Sequence, residues 1–585
     1  MILRRERRRS KDFVLVLLVI YVLLYMSEVH AGSPLEYLHG RLNMFHNVFY
    51  VYEDAYSAGN HFHVRGRVSS TGGENLFSMN EDWREGCHSK SSCIKISFSS
   101  RGSNWGGFYF LNGIKRASGD PEENWGDYPT SGLNLSGASE LSFYAKGETG
   151  KEKVEFFAFG IGRDPDFGRP IKPYPDSSPK VSTGYLTLAP QWKEYRIDLS
   201  GLDLSYVVGG FGWVADGQND VRDITFYIDE IKYNKQRLDE PHFILSYETS
   251  GYDTLFDRAM RNTAFVYDNA ITLMAFLAHE ELEGARIIAD AFLYAQDHDR
   301  YFNDGRLRNA YQAGDISNPP GWEPEGSARI PGWYDPNEMK WLEDRIVVGT
   351  YAGNMAWAII SLLAVYGKTG DGKYLEAAKR LGEWIEKELR DGRGFGGYLA
   401  GYEGWEGAQT KLLYKSTEHN LDLYVAFKRL YLATADKRWR LSAEHARKFF
   451  LSMWDGEQRK FWVGTREDGV TVNQEVVPLD VQAWAILALE KEAGPYTDAL
   501  SYAEVHHRVG NGYDFNTDRD GIWFEGTAHM GLAYLFAGNM AKWSEIASFL
   551  ENSTSKEGAI YAANKDGLST GLEWSYFKRY HAGAT

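Results

Sequence analysis

A change of hydrophobic period near residue 240 predicts that this 585-residue chain holds two domains of different class, an antiparallel β-sandwich followed by an all-helical ring. Three observations carry the prediction. Between residues 35 and 240, β-branched and aromatic runs alternate in period two and are separated by Gly, Pro, Asn and Asp clusters. Between residues 245 and 585, charge-poor helical runs alternate with strongly amphipathic ones. Residues 1–31 match neither pattern. A hydrophobic fraction of 43% over this length suffices for more than one core.

The first 31 residues read as an export signal. Arg4 to Lys11 are basic, Phe13 to Met26 are apolar, and Val29-His30-Ala31 form a small-residue cleavage pattern before Gly32. The apolar run is short for a bilayer span, which needs roughly 20 residues. A membrane is therefore expected as a partner only if the segment stays uncleaved as an anchor. Export makes a disulfide the expected state of Cys87 and Cys93, the only two cysteines. Two thiols supply no zinc site, and no His or carboxylate cluster with metal-ligand spacing stands out. Asn134-Leu135-Ser136 and Asn552-Ser553-Thr554 fit the glycosylation acceptor pattern.

Cys93–Ser99, Glu140–Ala145, Val154–Phe159, Lys193–Asp198 and Ile224–Ile231 are the clearest strands. Many short strands with no helical stretch between them indicate two packed antiparallel sheets. The run Gly209-Gly210-Phe211-Gly212-Trp213 and the closing strand Tyr227-Ile228-Asp229-Glu230-Ile231 resemble the jelly-roll carbohydrate-binding modules that accompany polysaccharide-degrading enzymes. Trp105, Tyr109, Trp125 and Tyr128 lie in Gly- and Asn-rich stretches where they would either stack on sugar rings or plug the ends of the sandwich. Asp229 and Glu230 offer oxygen atoms to a structural calcium, but no calcium-loop motif surrounds them and no cofactor is required.

Beyond Asp239 the charge-poor helices are expected to begin near Asp268, Asn354, Glu418, Asp480, Glu525 and Glu573. Amphipathic helices fall between them at 282–296, 374–389, 438–453, 496–507 and 541–550, with a further outer helix from about Tyr252 to Phe265. A helix without a polar face must be enclosed on all sides, whereas an amphipathic one packs outside it. Six such hairpins bury their apolar faces by closing into a ring, which should fold without the sandwich. This alternation resembles the six-hairpin glycosidases over residues 245–585. The resemblance implies an (α/α)6 toroid as catalytic domain, a scaffold that also hosts epimerases and polysaccharide lyases.

In such a ring the inner helices start at one rim, so the acidic residues at their starts meet in one cleft. Carboxylates favour helix N-termini, so each one taken singly reads equally as a cap. The densest cluster is Ser416-Thr417-Glu418-His419-Asn420-Leu421-Asp422, with Glu418 and Asp422 on one face. Glu418, Asp268, Asp480 and Glu525 are the candidate catalytic groups, with Asp268 and Asp480 opposed across a six-membered ring. His419, Asp422, Glu573, Tyr267, Asn354, Trp322, Trp333, Trp405, Trp523 and Trp574 are the candidate substrate contacts. The long connection from Asp297 to Val348 is expected to wall the cleft. Paired carboxylates suit glycoside hydrolysis, one as acid and one as base, with inversion when a water fits between them.

Two other enzyme chemistries compete. His419 and His529 could move protons in a sugar epimerase, and a lyase would want a basic cleft for a uronate, whereas this rim is acidic. A third reading is a non-catalytic polysaccharide-binding protein. All three share a polysaccharide or oligosaccharide partner. The formal net charge of −16 removes nucleic acid from consideration, because phosphate recognition draws on clustered Lys and Arg.

Overall fold

The computed structural model of the chain describes residues 32–44, 48–71, 76–89, 91–117, 119–235, 240–335, 338 and 340–585. The expected export signal lies outside them. The first element is helix α1 (Pro34–Asn43), opened by Pro34 and by a capping box in which the Ser33 hydroxyl accepts from the Glu36 N–H at 3.2 Å. Its Leu38 and Leu42 are buried in the core of the helical part, and His39 packs on Phe276 at 4.9 Å. The expected sandwich boundary at residue 35 thus needs correction, because this helix belongs to the other core.

The next eleven strands are β1 (Val48–Tyr52), β2 (Val64–Ser69), β3 (Phe77–Trp83), β4 (Cys93–Phe98), β5 (Trp105–Leu111), β6 (Glu140–Gly147), β7 (Lys153–Ala158), β8 (Val181–Thr187), β9 (Lys193–Asp198), β10 (Gly209–Asp216) and β11 (Ile224–Asn234). One antiparallel sheet runs β3-β4-β11-β6-β9, with β1 also on β11, and the other runs β2-β5-β10-β7-β8. Alternate residues of both, among them Ile96, Phe108, Phe143, Phe156, Phe211, Trp213 and Phe226, share one apolar core, as period two requires. Cys87 and Cys93 form a disulfide. Trp105 is exposed, while Tyr109 and Trp125 meet edge to face at 5.7 Å beside a groove of about 520 Å³ under the loop of Gly160 to Gly168. Asp229 uses its oxygens to accept the N–H groups of Ser89 and Glu230 at 2.8 and 2.9 Å.

The helical part begins with the short α2 (Leu255–Met260), where a full outer helix was expected. Five inner helices follow: α3 (Val266–Ala278), α5 (Ala352–Thr369), α7 (Thr417–Thr434), α9 (Leu479–Leu489) and α11 (Phe524–Phe536). Between and after them come the outer helices α4 (Leu282–Asp297), α6 (Gly372–Glu388), α8 (Lys437–Ser452), α10 (Asp498–His506) and α12 (Met540–Ser553). In α6 the buried residues Tyr374, Ala377, Ala378, Leu381, Trp384 and Ile385 follow the three- and four-residue spacing of one face. Outer helices α6, α8 and α12 carry side-chain caps from Asp371, Asp436 and Asn539. Neighbouring inner helices pack in the order α3, α5, α7, α9, α11.

The sixth hairpin does not form. Residues 554–585 are non-helical, with a small strand pair at Leu568–Ser569 and Ser575–Tyr576. Gly567 and Gly571, both at φ +71°, interrupt any helical run through the expected start at Glu573. This segment lies between α11 and α3, bridging to Trp523 through Ala563 and to Tyr247 through His581. It is held by Arg579, which is buried and donates to both oxygens of Asp257 on α2 at 2.7 and 3.1 Å.

Candidate active site

Four of the five inner helices start without a side-chain cap; their N-cap residues are Phe265, Tyr351, Pro478 and Trp523. In the fifth, α7, the cap is Ser416, whose hydroxyl accepts from the His419 N–H at 3.2 Å. None of Asp268, Glu418, Asp480 and Glu525 therefore serves as the N-cap of its helix. Asp480 does accept the neighbouring Val481 N–H at 2.6 Å.

The next turn of four of the inner helices continues the site inward, because residues four apart share a face. Glu418 is followed by Asp422, Asp480 by Trp484, Glu525 by His529 and Gly353 by Trp357. Tyr267 meets Trp357 edge on at 5.3 Å, Trp357 meets Trp484 at 4.8 Å, and Trp484 meets His529 at 4.9 Å. A Cβ on Gly353 would stand 2.6 Å from the His419 ring and 3.4 Å from an Asp422 oxygen, so α5 needs glycine there for α7 to approach. The result is a half-buried aromatic wall around a group of carboxylates.

Those carboxylates differ in what surrounds them. Burial drives the Glu418 carboxyl well above the usual range, and the charges of Asp480, Asp422 and Glu525 push the same way. Burial also raises Asp422, both of whose oxygens lack a hydrogen-bond partner. Asp480 is pushed up to about 7, chiefly by burial and against the Val481 N–H. Glu525 is raised by burial too, but the His581 charge and the Tyr267 hydroxyl oppose that rise. The Tyr267 hydroxyl donates to Glu525 Oε1 at 2.5 Å. His581 Nε2 stands 3.2 Å from Asp268 Oδ2, and its Nδ1 stands 3.9 Å from Glu525 Oε2.

The two histidines expected as alternative proton carriers are both largely buried. Burial lowers His419 to about 4 and His529 to about 3. The Trp484 indole donates to His529 Nδ1 at 2.8 Å, which leaves the ring proton on Nε2, 3.8 Å from Glu525.

Several expected contacts lie elsewhere. Asp268 is linked to Glu525 through His581, whose Nε2 stands 3.2 Å from Asp268 and whose Nδ1 stands 3.9 Å from Glu525. Glu573 is exposed on a surface turn and pairs with Arg345 at 2.5 Å, which also binds Glu403 at 2.8 Å. Trp322 is buried against the sandwich, where its indole donates to Asn112 at 3.2 Å. The connection from Asp297 to Val348 accordingly divides: its middle docks on the sandwich, and its start is tied to the 401–412 hairpin by Arg300 and Arg308 through Glu406. Trp333 is core beside Tyr247 and Val347. Trp523 is buried and stacks on Tyr576 at 5.4 Å. Trp574 is half-buried against Phe265, and Trp405 is exposed at the turn of that hairpin, its indole donating to the Glu343 carbonyl. Asn354 donates to Asn309 at 2.8 Å beside the start of α5.

Trp357, Trp484, Tyr576 and His581 were missed. The two tryptophans carry a readable signal, four residues below Gly353 and Asp480 on charge-poor helices. The other two lie in a segment without periodicity. Asp514, Asp518 and Asp520, in the loop before α11, are a carboxylate group whose oxygens lie within 4.8 Å of one another, a spacing that suits a cation.

No protein-family model matches the sequence, and no curated protein is similar to it at a significant level. Solved structures similar to the chain include cellobiose 2-epimerase from Spirochaeta thermophila DSM 6192, at 15% identity over 59% of this chain and 88% of that chain, with a TM-score of 0.42. A GH76 α-mannanase of Bacteroides thetaiotaomicron matches at 13% identity, 55% and 83% coverage and a TM-score of 0.37. An α-amylase from Clostridium perfringens matches at 12% identity, 58% and 87% coverage and a TM-score of 0.40. All three are named as carbohydrate-processing enzymes.

Proposed function

We propose that the chain is an exported glycoside hydrolase that acts on a polysaccharide or oligosaccharide with inversion. The observation that carries this reading is the meeting of carboxyls from α7, α9 and α11 in one aromatic-walled site, with opposite electrostatic surroundings at its two ends. Glu418 has only like charges as electrostatic neighbours and stays protonated, as a general acid must. Burial raises Glu525 as well, but its hydroxyl donor and the facing imidazole oppose that rise, which favours it over Glu418 as the ionised partner that activates water. The proton of Glu418 passes to the glycosidic oxygen as the bond breaks, and Glu525 takes the proton of the attacking water. The two belong to inner helices separated by α9, and such a gap suits the roughly 6.5 to 9.5 Å that an inverting pair needs. Aromatic rings on α5 and α9 give sugar faces an apolar surface.

Epimerisation by histidine is disfavoured by the low basicity of His419 and His529. A uronate lyase is disfavoured because, among the described residues, His581 is the one cationic group paired with the several carboxylates of the site. Tyr109 and Trp125, beside their groove on the second sheet, are where the sandwich would hold polymer. The test is incubation with a panel of neutral glycans, reading new reducing ends and the anomer released by NMR. Reducing ends of inverted configuration are expected. A changed sugar without bond cleavage, or binding without either, would sink the proposal.

A further inference from the structure

The segment that replaces the sixth hairpin brings a histidine to the back of the site. We propose that His581 is a positioning residue: held by Asp268 on one side, it presents a positive charge to Glu525 and so keeps that carboxylate ionised and aimed at water. This rests on the reading of Glu525 as the base, and it is carried by geometry. The His581 backbone is fixed twice, its N–H donating to the Ile560 carbonyl at 3.0 Å and its carbonyl accepting from Thr585 Oγ1 at 2.8 Å. Its ring stacks on Tyr247 with centroids 4.3 Å apart and planes 16° from parallel. A Cβ on Gly583 would come within 2.6 Å of Asp268 Oδ1 and 2.7 Å of the His581 ring, so glycine lets this stretch pass close behind the pair.

Asp268 accepts from Nε2 and thereby fixes which nitrogen carries the first proton. Nδ1 is buried without a hydrogen-bond partner and points its second proton toward Glu525, at a distance where attraction between charges acts without a full hydrogen bond. The titratable groups around Glu525 come from several elements. Tyr267 and Asp268 come from α3, Glu418 from α7, Asp480 from α9 and His529 from α11, while Tyr247, Tyr576 and His581 come from the segments that close the ring. His581 is the one group of this set drawn toward its cationic form. Burial lowers it, yet Asp268 and then Glu525 outweigh burial and leave it above its ordinary 6.5. Without that charge Glu525 would face the other carboxylates and take up a proton.

The experiment uses the full chain with ¹³C-labelled histidine, assigned by His581→Gln, together with pH–rate profiles of the parent and of His581→Gln. The His581 ring should titrate above 6.5 and should drop by about one unit or more in Asp268→Asn. Loss of the cation should move the acidic limb of kcat/KM upward by about one unit and reduce turnover near pH 6 by about tenfold, with KM changed less than about twofold. A merely structural histidine would instead lower Tm and scale activity equally at all pH values. A ring titrating below 6.5, or an acidic limb that stays in place, overturns the clamp. If the parent cleaves no glycan, the catalytic reading fails while the ring titration still decides the clamp.

Discussion

Glu418 and Glu525 are the same functional group given different neighbours, and the proposed hydrolysis rests on that difference. Asp480, between them in chain order, should reveal the cost of crowding. Its carboxyl has a folded value near 7 against an ordinary 3.8, so the folded state holds the proton more tightly than the unfolded chain. Its contribution to stability is full below about pH 4 and is lost as pH rises toward 7. Asp480→Asn should thus stabilise the fold at pH 8 by on the order of 1 to 3 kcal/mol and hardly at all at pH 4. Urea titrations at the two values check this, and equal effects at both would contradict it. The placing of these acids in the first turns of the inner helices was legible, since a carboxylate at the mouth of a charge-poor helix stands out against its apolar run. His581 was not, because nothing in a stretch rich in glycine and lacking a period says which side chain turns inward.

Helix identity was legible wherever the two kinds of face were distinct, because burial on one side or on all sides dictates composition. The sixth hairpin was misread from the short apolar stretch around Trp574, which is too brief to nucleate a helix between Gly571 and the end of the segment. What holds that segment is instead the Arg579–Asp257 pair, with Arg579 also 3.5 Å over the Tyr252 ring. Removing one partner strands a buried charge, so Arg579→Met should cost about 3 to 5 kcal/mol in denaturant unfolding. A loss under about 1 kcal/mol would mean that the segment is held by other contacts. On the opposite side of the site, Gly353→Ala forces a methyl into the His419 ring. It should cost about 1 to 3 kcal/mol and lower turnover, since Glu418 belongs to the displaced turn.

At the scale of the molecule, the ring was expected to fold without the sandwich. The structure argues otherwise, because α1 precedes the sandwich in sequence yet buries Leu38 and Leu42 in the core of the helical part. The sandwich also buries Trp322, and it accepts from Arg261 through the Ala55 carbonyl at 3.0 Å. Excising residues 32–240 should therefore yield a chain that melts well below the parent or fails to stay soluble. An unchanged Tm would restore the independent ring. The change from strands to helices and its order along the chain were legible from period alone, whereas the interlocking of the two parts was not. Long-range docking of a helix onto a distant core leaves no local pattern.

The account turns on Glu418 as the proton donor, and Glu418→Gln tests it most directly. The amide keeps size and hydrogen-bonding reach but has no proton to give. Turnover of the preferred glycan should fall by about 10²- to 10⁴-fold, with oligosaccharide affinity and Tm nearly unchanged. Full activity in this variant would contradict the account, and loss of fold and binding together would make Glu418 structural.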